Sequence, residues 1–138
     1  MRSTEGPRIS PDRNSSPVLF DTTQLALERA IEGASLRQSA LANNLANANT
    51  PGYRRVDVDF HTALGRALES GAGTRGALER TGFSAQADGS AGAVRADGGT
   101  VDADAEAAKL AANALEHQAA VQIAATRNAI LSIAMGAR

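Results

Sequence analysis

Gly71-Ala72-Gly73-Thr74-Arg75-Gly76 spells G-x-G-x-x-G, the spacing with which a backbone cradles a dinucleotide pyrophosphate. That chemistry needs a buried strand before the glycines and a helix N-terminus after them. Here a short amphipathic stretch precedes the match and more glycine follows it, so it reads as a product of composition. Asp102, Asp104 and Glu106 bring three carboxylates close together. A calcium loop would add further ligands and a turning glycine at set positions. Alanine fills the gaps instead, and the acids read as capping and dipole complementarity at a helix start. His61 and His117 form no helical metal pair and imply no third ligand. The serines fall in no nucleophile-elbow pattern, and the absence of cysteine removes disulfides and thiolate sites. No catalytic residue, cofactor, metal or small-molecule substrate is expected, and the chain does not read as an enzyme.

What the chain does concentrate is amide. Residues 43–53, NNLANANTPGY, carry Asn43, Asn44, Asn47 and Asn49 just ahead of Thr50-Pro51-Gly52-Tyr53. Asparagine suits a helix interior poorly, because its amide competes for backbone partners. Yet Leu41, Leu45 and Ala48 run through the four at helical spacing. Two roles are open. In a packed inter-subunit seam, amides donate and accept at once and fix register where apolar contacts alone would slide. At a solvated helix end, they satisfy the last carbonyls. Interface roles are expected for at least two of the four, with Asn43 and Asn47 on one face and Asn44 beside Asn47. Pro51 disfavours helical geometry at Thr50. Proline followed by glycine at the turn centre is the type II signature, glycine supplying the positive φ.

The elements that must position this motif follow from composition and periodicity. The chain has 138 residues, one ordinary domain by length. Its apolar fraction is 43%, but aromatics are only 3% and alanine supplies much of the rest. Large apolar side chains stabilise by roughly 1.5–3 kcal/mol each when buried, and alanine by far less, so the chain is expected to complete its core with partners. Fourteen basic and fifteen acidic residues leave a charge of −1. No basic stripe is present, Arg54 and Arg55 read as a solvated pair, and nucleic acid is not an expected partner. The N-terminus is polar, without a signal-peptide core, and no apolar run approaches the ~18 residues of a membrane span.

Residues 1–17 hold Pro7, Pro11 and Pro17 among polar residues and read as a disordered arm. Residues 18–50 read as a long helix capped by Asp21 or Thr22. Leu27, Ile31, Ala34, Gln38, Leu41, Leu45 and Ala48 alternate spacings of four and three along it, a heptad seam with Gln38 as its large polar member. Gly33 weakens that helix by roughly 1 kcal/mol relative to alanine. Residues 51–69 read as the turn, an extended segment with Val56, Val58 and Phe60 alternating with acids, and a short helix capped by Asp59. Residues 70–100 hold eight of the thirteen glycines and read as a flexible connector. Residues 101–138 read as the second long helix. Leu110, Ala114, Val121, Ala124, Leu131 and Met135 share one face; Leu115, Ala119, Ile123, Ile130 and Ile133 cover much of the opposite one. A helix apolar nearly all round must be surrounded, and one partner helix cannot enclose it. The expected class is all-α, two long terminal helices with a short middle helix and a Gly-rich connector, completed by assembly. Leu27, Ile31, Leu41, Leu110, Leu115, Val121, Ile123, Ile130 and Leu131 are the expected helix-interface residues.

The stretch Leu41–Tyr53, LANNLANANTPGY, resembles the signature shared by axial proteins of the bacterial flagellum, the rod, hook and hook-associated subunits. RRVDVDF directly after the turn, and DGGTVDADAEAAKLAANALEHQAAVQ at 97–122, resemble more narrowly the proximal rod subunits, the FlgB family of flagellar basal-body rod proteins. The turn is uninterrupted, unlike that of a related small rod protein, and the chain has no room for the β-rich domains of distal rod and hook subunits. The resemblance implies that the terminal helices pair as a coiled coil and that copies self-associate helically into a hollow rod, which transmits torque and houses the export channel. It implies an assembly motif of Asn43, Asn44, Leu45, Asn47, Asn49, Thr50, Pro51, Gly52 and Tyr53. The implied partners are other rod subunits, the membrane-embedded ring and the rod adaptor protein. The implied location is the flagellar basal body in the periplasmic space, reached by type III export without a cleavable signal peptide. A non-catalytic helical adaptor or export-related module using the same helices to grip one partner is the alternative. A nucleotide-dependent enzyme built on Gly71–Gly76 is a distant third.

Overall fold

The computed structural model describes residues 15–88, 94 and 96–136. Helix α1 spans Ser15–Ala46, β1 Val56–Asp57, α2 Phe60–Leu68, α3 Thr74–Arg80, β2 Gln86–Ala87 and α4 Ala103–Ala134. Helix α1 begins before the expected residue 18 because Pro17 falls in its first turn, where proline needs no N–H bond of its own. Of the arm expected at 1–17, residues 1–14 lie outside the described residues, and 15–17 belong to α1 instead. At its other end α1 stops short of residue 50. The Asn47 and Ala48 N–H groups still bond back to helix carbonyls, but the Thr50 N–H closes a tighter turn on the Asn47 carbonyl at 2.9 Å. Pro51 then offers no donor at all.

Helices α1 and α4 run antiparallel, since Asn44 meets Glu106 while Gln38 meets Asn113. Every member of the expected α1 seam is buried or half-buried, with Leu41 and Ala34 the most enclosed. The α4 face needs correction. Its inward stripe is Glu106, Leu110, Asn113, His117, Ala120, Ala124, Arg127 and Leu131, spaced alternately by four and three. Leu110, Ala124 and Leu131 belong to the face that the apolar pattern suggested; Ala114, Val121 and Met135 are exposed instead. Glu106 and Asn113 bond to groups on α1, and those bonds fix the rotation of the helix. The Asp102 carboxylate caps α4, accepting from the Asp104 and Ala105 N–H groups at 3.1 and 3.2 Å.

A small apolar core lies on another side of α1. Ala34, Ala40, Val58 and Phe60 form it, with Leu36, Val56 and Phe83 packed around them. Its enabling residue is Gly33. A Cβ there would stand 2.6 Å from the Cβ and Cγ of Phe60, so the ring lies directly on the helix backbone. Asp59 caps α2 as expected, accepting from the Thr62 N–H at 3.3 Å. Phe60 opens that helix rather than closing an extended run. The described part of the 70–100 stretch holds more structure than its glycines suggest. Leu78 on α3 is fully buried, and Phe83 meets Phe60 edge-on at 6.1 Å. Two large apolar anchors are enough to order a helix and the strand β2, which pairs antiparallel with β1 (Val56 with Ala87, Asp57 with Gln86). Gly71–Gly76, the match to the dinucleotide pattern, forms a 3-10 turn and the start of α3, not a strand-to-helix loop. Among the described residues, no helix is long and apolar enough to cross a membrane.

Candidate functional site

The asparagine-rich stretch folds back on itself at the end of α1. The Tyr53 N–H reaches the Thr50 carbonyl at 3.2 Å, and Gly52 has φ of 72°. That is the pattern expected of a type II turn, with glycine where left-handed backbone is required. The turn leans on the segment leading into α4: the Gly52 N–H donates to the Asp97 carbonyl at 3.0 Å and the Thr100 N–H to the Tyr53 carbonyl at 3.2 Å.

Asn44 is the centre of the arrangement and is fully buried. Its Nδ2 donates to the Val56 carbonyl at 2.6 Å and to Glu106 Oε2 at 2.8 Å. Its Oδ1 accepts from the Val56 N–H at 3.0 Å and from the Tyr53 hydroxyl at 3.3 Å. The amide thus takes up both backbone groups of Val56, as a neighbouring strand would, and its capacity of two donors and two lone pairs is met within the chain.

Glu106 arrives from α4 with 1% exposure. Its Oε1 is held by Arg55 Nε at 2.5 Å and Lys109 Nζ at 3.2 Å. Arg55, itself buried, also pairs with Asp57 at 2.7 Å and with Asp88. Arg37 on α1 grips the other Asp57 oxygen at 2.9 Å. Burial opposes charge on Glu106, yet hydrogen bonds from Arg55, Asn44 and Lys109 outweigh it and hold the carboxyl below its ordinary range. Asp57 behaves alike: burial pushes it up, while bonds from Arg37, the Val58 N–H and Arg55 bring it down. Burial works against the Arg55 guanidinium too, but Glu106 and Asp57 raise its pKa above the usual value. The result is a polar clasp joining α1, the turn, β1 and α4.

The remaining motif residues divide by position. Asn47 closes the helix end, donating to the Asn43 carbonyl at 2.9 Å and accepting from the Thr50 hydroxyl at 3.3 Å. Asn43, Asn49, Thr50, Pro51 and Gly52 are exposed, while Leu45 and Tyr53 are half-buried. Of the expected interface residues, Leu41 is buried and Leu27, Ile31, Leu110 and Leu131 are half-buried between helices. Leu115, Val121, Ile123 and Ile130 lie exposed on α4, at 69%, 42%, 56% and 61%.

Arg55, Glu106, Asp57, Arg37 and Asn113 build this site although local pattern assigns none of them to it, and the readings of Arg55 as solvated and of Glu106 as a dipole-complementing acid need correction. Arg55 is not a solvated residue like its exposed neighbour Arg54, because strand alternation turns it inward beside Asp57. Glu106 does more than complement a helix dipole. The signal was available: stepping back four residues from Leu110 along the seam lands on Glu106. Elsewhere His61 and Glu116 meet at 2.5 Å on the surface between α2 and α4. Among the described residues, no group of three or more metal-ligating side chains comes together.

The family described as Flagella basal body rod protein matches residues 25–54, from the α1 seam through the turn. The flagellar basal body rod protein FlgB of Proteus mirabilis (strain HI4320) is 32% identical over 108 residues, covering 68% of this chain and 79% of the relative. The protein of that name from Escherichia coli (strain K12) is 31% identical over 117 residues, 72% of this chain and 85% of the relative. That of Bacillus subtilis (strain 168) is 30% identical over 113 residues, 75% and 85% respectively.

Proposed function

This chain belongs to the flagellar basal body rod protein FlgB family, and on that premise we propose that it is a non-catalytic structural subunit of the proximal rod. Copies self-associate in a helical, hollow array that transmits torque and leaves a central export channel. Other rod subunits, the membrane-embedded ring and the rod adaptor protein are its neighbours, in the periplasmic part of the basal body. The subunit reaches them through the flagellar type III export apparatus.

The observation that carries this reading is the outer surface of α4. Leu115, Ile123, Ile130 and Ile133 stand 56–76% exposed on a helix whose inward stripe is already occupied by α1. Exposed apolar side chains in such a row need a covering surface, and a helical array of subunits supplies one. Asn43, Asn49 and the Thr50–Gly52 turn present a polar edge beside the clasp. In this reading they contact neighbouring subunits, whereas Asn44 and Asn47 shape the edge from within. A pelleting assay with companion rod subunits tests the proposal. Open arrays that sediment and grow with concentration are expected; a closed complex of fixed size would favour the helical adaptor instead.

A further inference from the structure

The two edges of the β1–β2 ribbon are treated oppositely. The Asp88 N–H donates to the Arg55 carbonyl at 3.0 Å, and Asp57 pairs with Gln86. Alternation then turns the backbone groups of Val56 to one edge and those of Ala87, and of Ala85 just before β2, to the other. Asn44 closes the Val56 edge with its amide. The outward N–H and C=O groups of Ala85 and Ala87 make no hydrogen bond among the described residues. Ser84, Ala85, Gln86 and Ala87 are all exposed, and none is a lysine or proline, the usual guards of an open edge. Such an edge can take up an extended peptide as a further strand.

The sequence holds a segment that fits it. Residues 7–11, PRISP, belong to the arm outside the described residues. Proline biases the residue before it towards extended backbone and has no N–H to give, and Ile9 is β-branched. Laid antiparallel with Arg8 opposite Ala87 and Ser10 opposite Ala85, the segment would exchange both N–H···O bonds at each pair. Ile9 would then face Gln86, on the side where Ser84, Gln86 and Asp57 line a cleft of about 390 Å³ with Val58 and Phe83. The same register sends the missing donors of Pro7 and Pro11 to the outer edge, where they blunt further addition.

The arm of the same copy cannot supply this strand. Arg37, which grips Asp57 beside Gln86, stands about 33 Å along α1 from Ser15. The chain from Ser10 to Ser15 spans at most about 18 Å. We propose that residues 8–10 of one copy add as a third strand to the 85–87 edge of another. As a contact within the array this rests on the rod reading; as binding between two copies it does not.

A synthetic peptide of residues 4–13, titrated into the isotope-labelled full-length chain at low protein concentration, isolates the contact. Saturable shifts of the Ala85 and Ala87 amide signals are expected. Methylating the peptide's backbone nitrogen at Arg8 or Ser10 is expected to weaken binding about tenfold or more, since a donor to the edge is lost. Methylation at Ile9, whose N–H faces outward, is expected to leave it within about threefold. No saturable shift at Ala85 and Ala87 overturns the proposal and leaves the rod reading standing. Shifts that settle on α4 instead overturn it too. So does equal weakening by methylation at Ile9 and at Ser10, because the edge would then not be what is recognised. The chain has no cysteine, so a spin label on Thr4→Cys of unlabelled copies reads the second copy as donor. It should broaden the same two signals in isotope-labelled copies; no broadening at concentrations where the peptide binds overturns the exchange between copies.

Discussion

The two ends of α4 are built on opposite terms. Its first turns carry Glu106 into a clasp where Asn44, Arg55 and Glu106 are all at least 95% enclosed and bonded to one another. Its last turns carry Ile123, Ile130 and Ile133 in the open. The polar end is finished inside the chain because each charge there has a partner of opposite sign at hydrogen-bond distance. The apolar end is unfinished because one antiparallel partner covers only one stripe of a helix. In the proposed rod, a subunit made this way would have a head that holds its own shape and a tail covered by neighbouring subunits.

The sharpest way to break the contrast is to unpair the head. Arg55→Ala leaves Glu106 buried without its main cation and takes from half-buried Asp57 one of its two arginine partners, which should lower the stability of the isolated chain by about 3–5 kcal/mol. Chemical denaturation at neutral pH checks it. The pH dependence follows from the same groups. The Glu106 and Asp57 carboxyls are held below their ordinary values in the folded chain. Their contribution is therefore complete above the unfolded carboxylate range near pH 4 and is lost as pH falls through the folded values. In the variant, uncompensated burial favours protonation, so acid relieves it. The stability gap between the two proteins should narrow below about pH 4; an equal gap at pH 7 and pH 3 would remove the clasp as its source.

Gly52 links the head to the path of the chain. Its φ of 72° is left-handed backbone, and nothing lies within 4 Å of where a Cβ would be. Gly52→Val should then meet backbone strain alone, about 1–3 kcal/mol, while Gly52→Asn should be milder because asparagine tolerates that region. The bond from the Gly52 N–H to the Asp97 carbonyl would transmit a distorted turn to the approach of α4. Melting curves of the two variants separate the cases, and equal losses would mean that the positive φ is not what the position demands.

How far these features were legible follows from what each depends on. The heptad seam of α1, the Asp59 cap and the turn at Thr50–Tyr53 are set by residues within a few positions of one another, and local pattern sufficed to place them. The clasp joins residues 44, 55, 88 and 106, and no local rule pairs a charge with a partner dozens of residues away. Arg55 beside Arg54 looks like any exposed basic pair until a carboxylate is brought to it. Likewise the inward stripe of α4 departs from its apolar pattern, because Asn113 and Glu106 answer to partners on another element.

Gly33 sharpens the comparison by opposing a local preference to a distant contact. Helix propensity alone makes Gly33→Ala stabilising by roughly 1 kcal/mol. The added methyl would stand 2.6 Å from Phe60 carbons, and overpacking of that kind destabilises by about 1–3 kcal/mol. The contact should win, with a net loss of about 1–2 kcal/mol. A gain in thermal stability would show that Phe60 can shift at little expense and that the small core of the head is loosely held.

The smallest effect on the lone chain is expected at the other end. Ile123 is 56% exposed and faces away from α1. Ile123→Glu exchanges one exposed side chain for another, so the isolated subunit should stay within about 0.5 kcal/mol of the original. In an assembled rod the same side chain would lie against a neighbour, where a buried unpaired carboxylate is strongly unfavourable. The variant should therefore melt normally, be exported normally and fail to sediment with companion rod subunits. A large loss of stability in the monomer would place Ile123 in the head's own packing and erase the division between the two ends. Normal sedimentation and swimming would instead leave that face of α4 outside the subunit contacts, and the covering surface would have to be sought around Leu115 or Ile133.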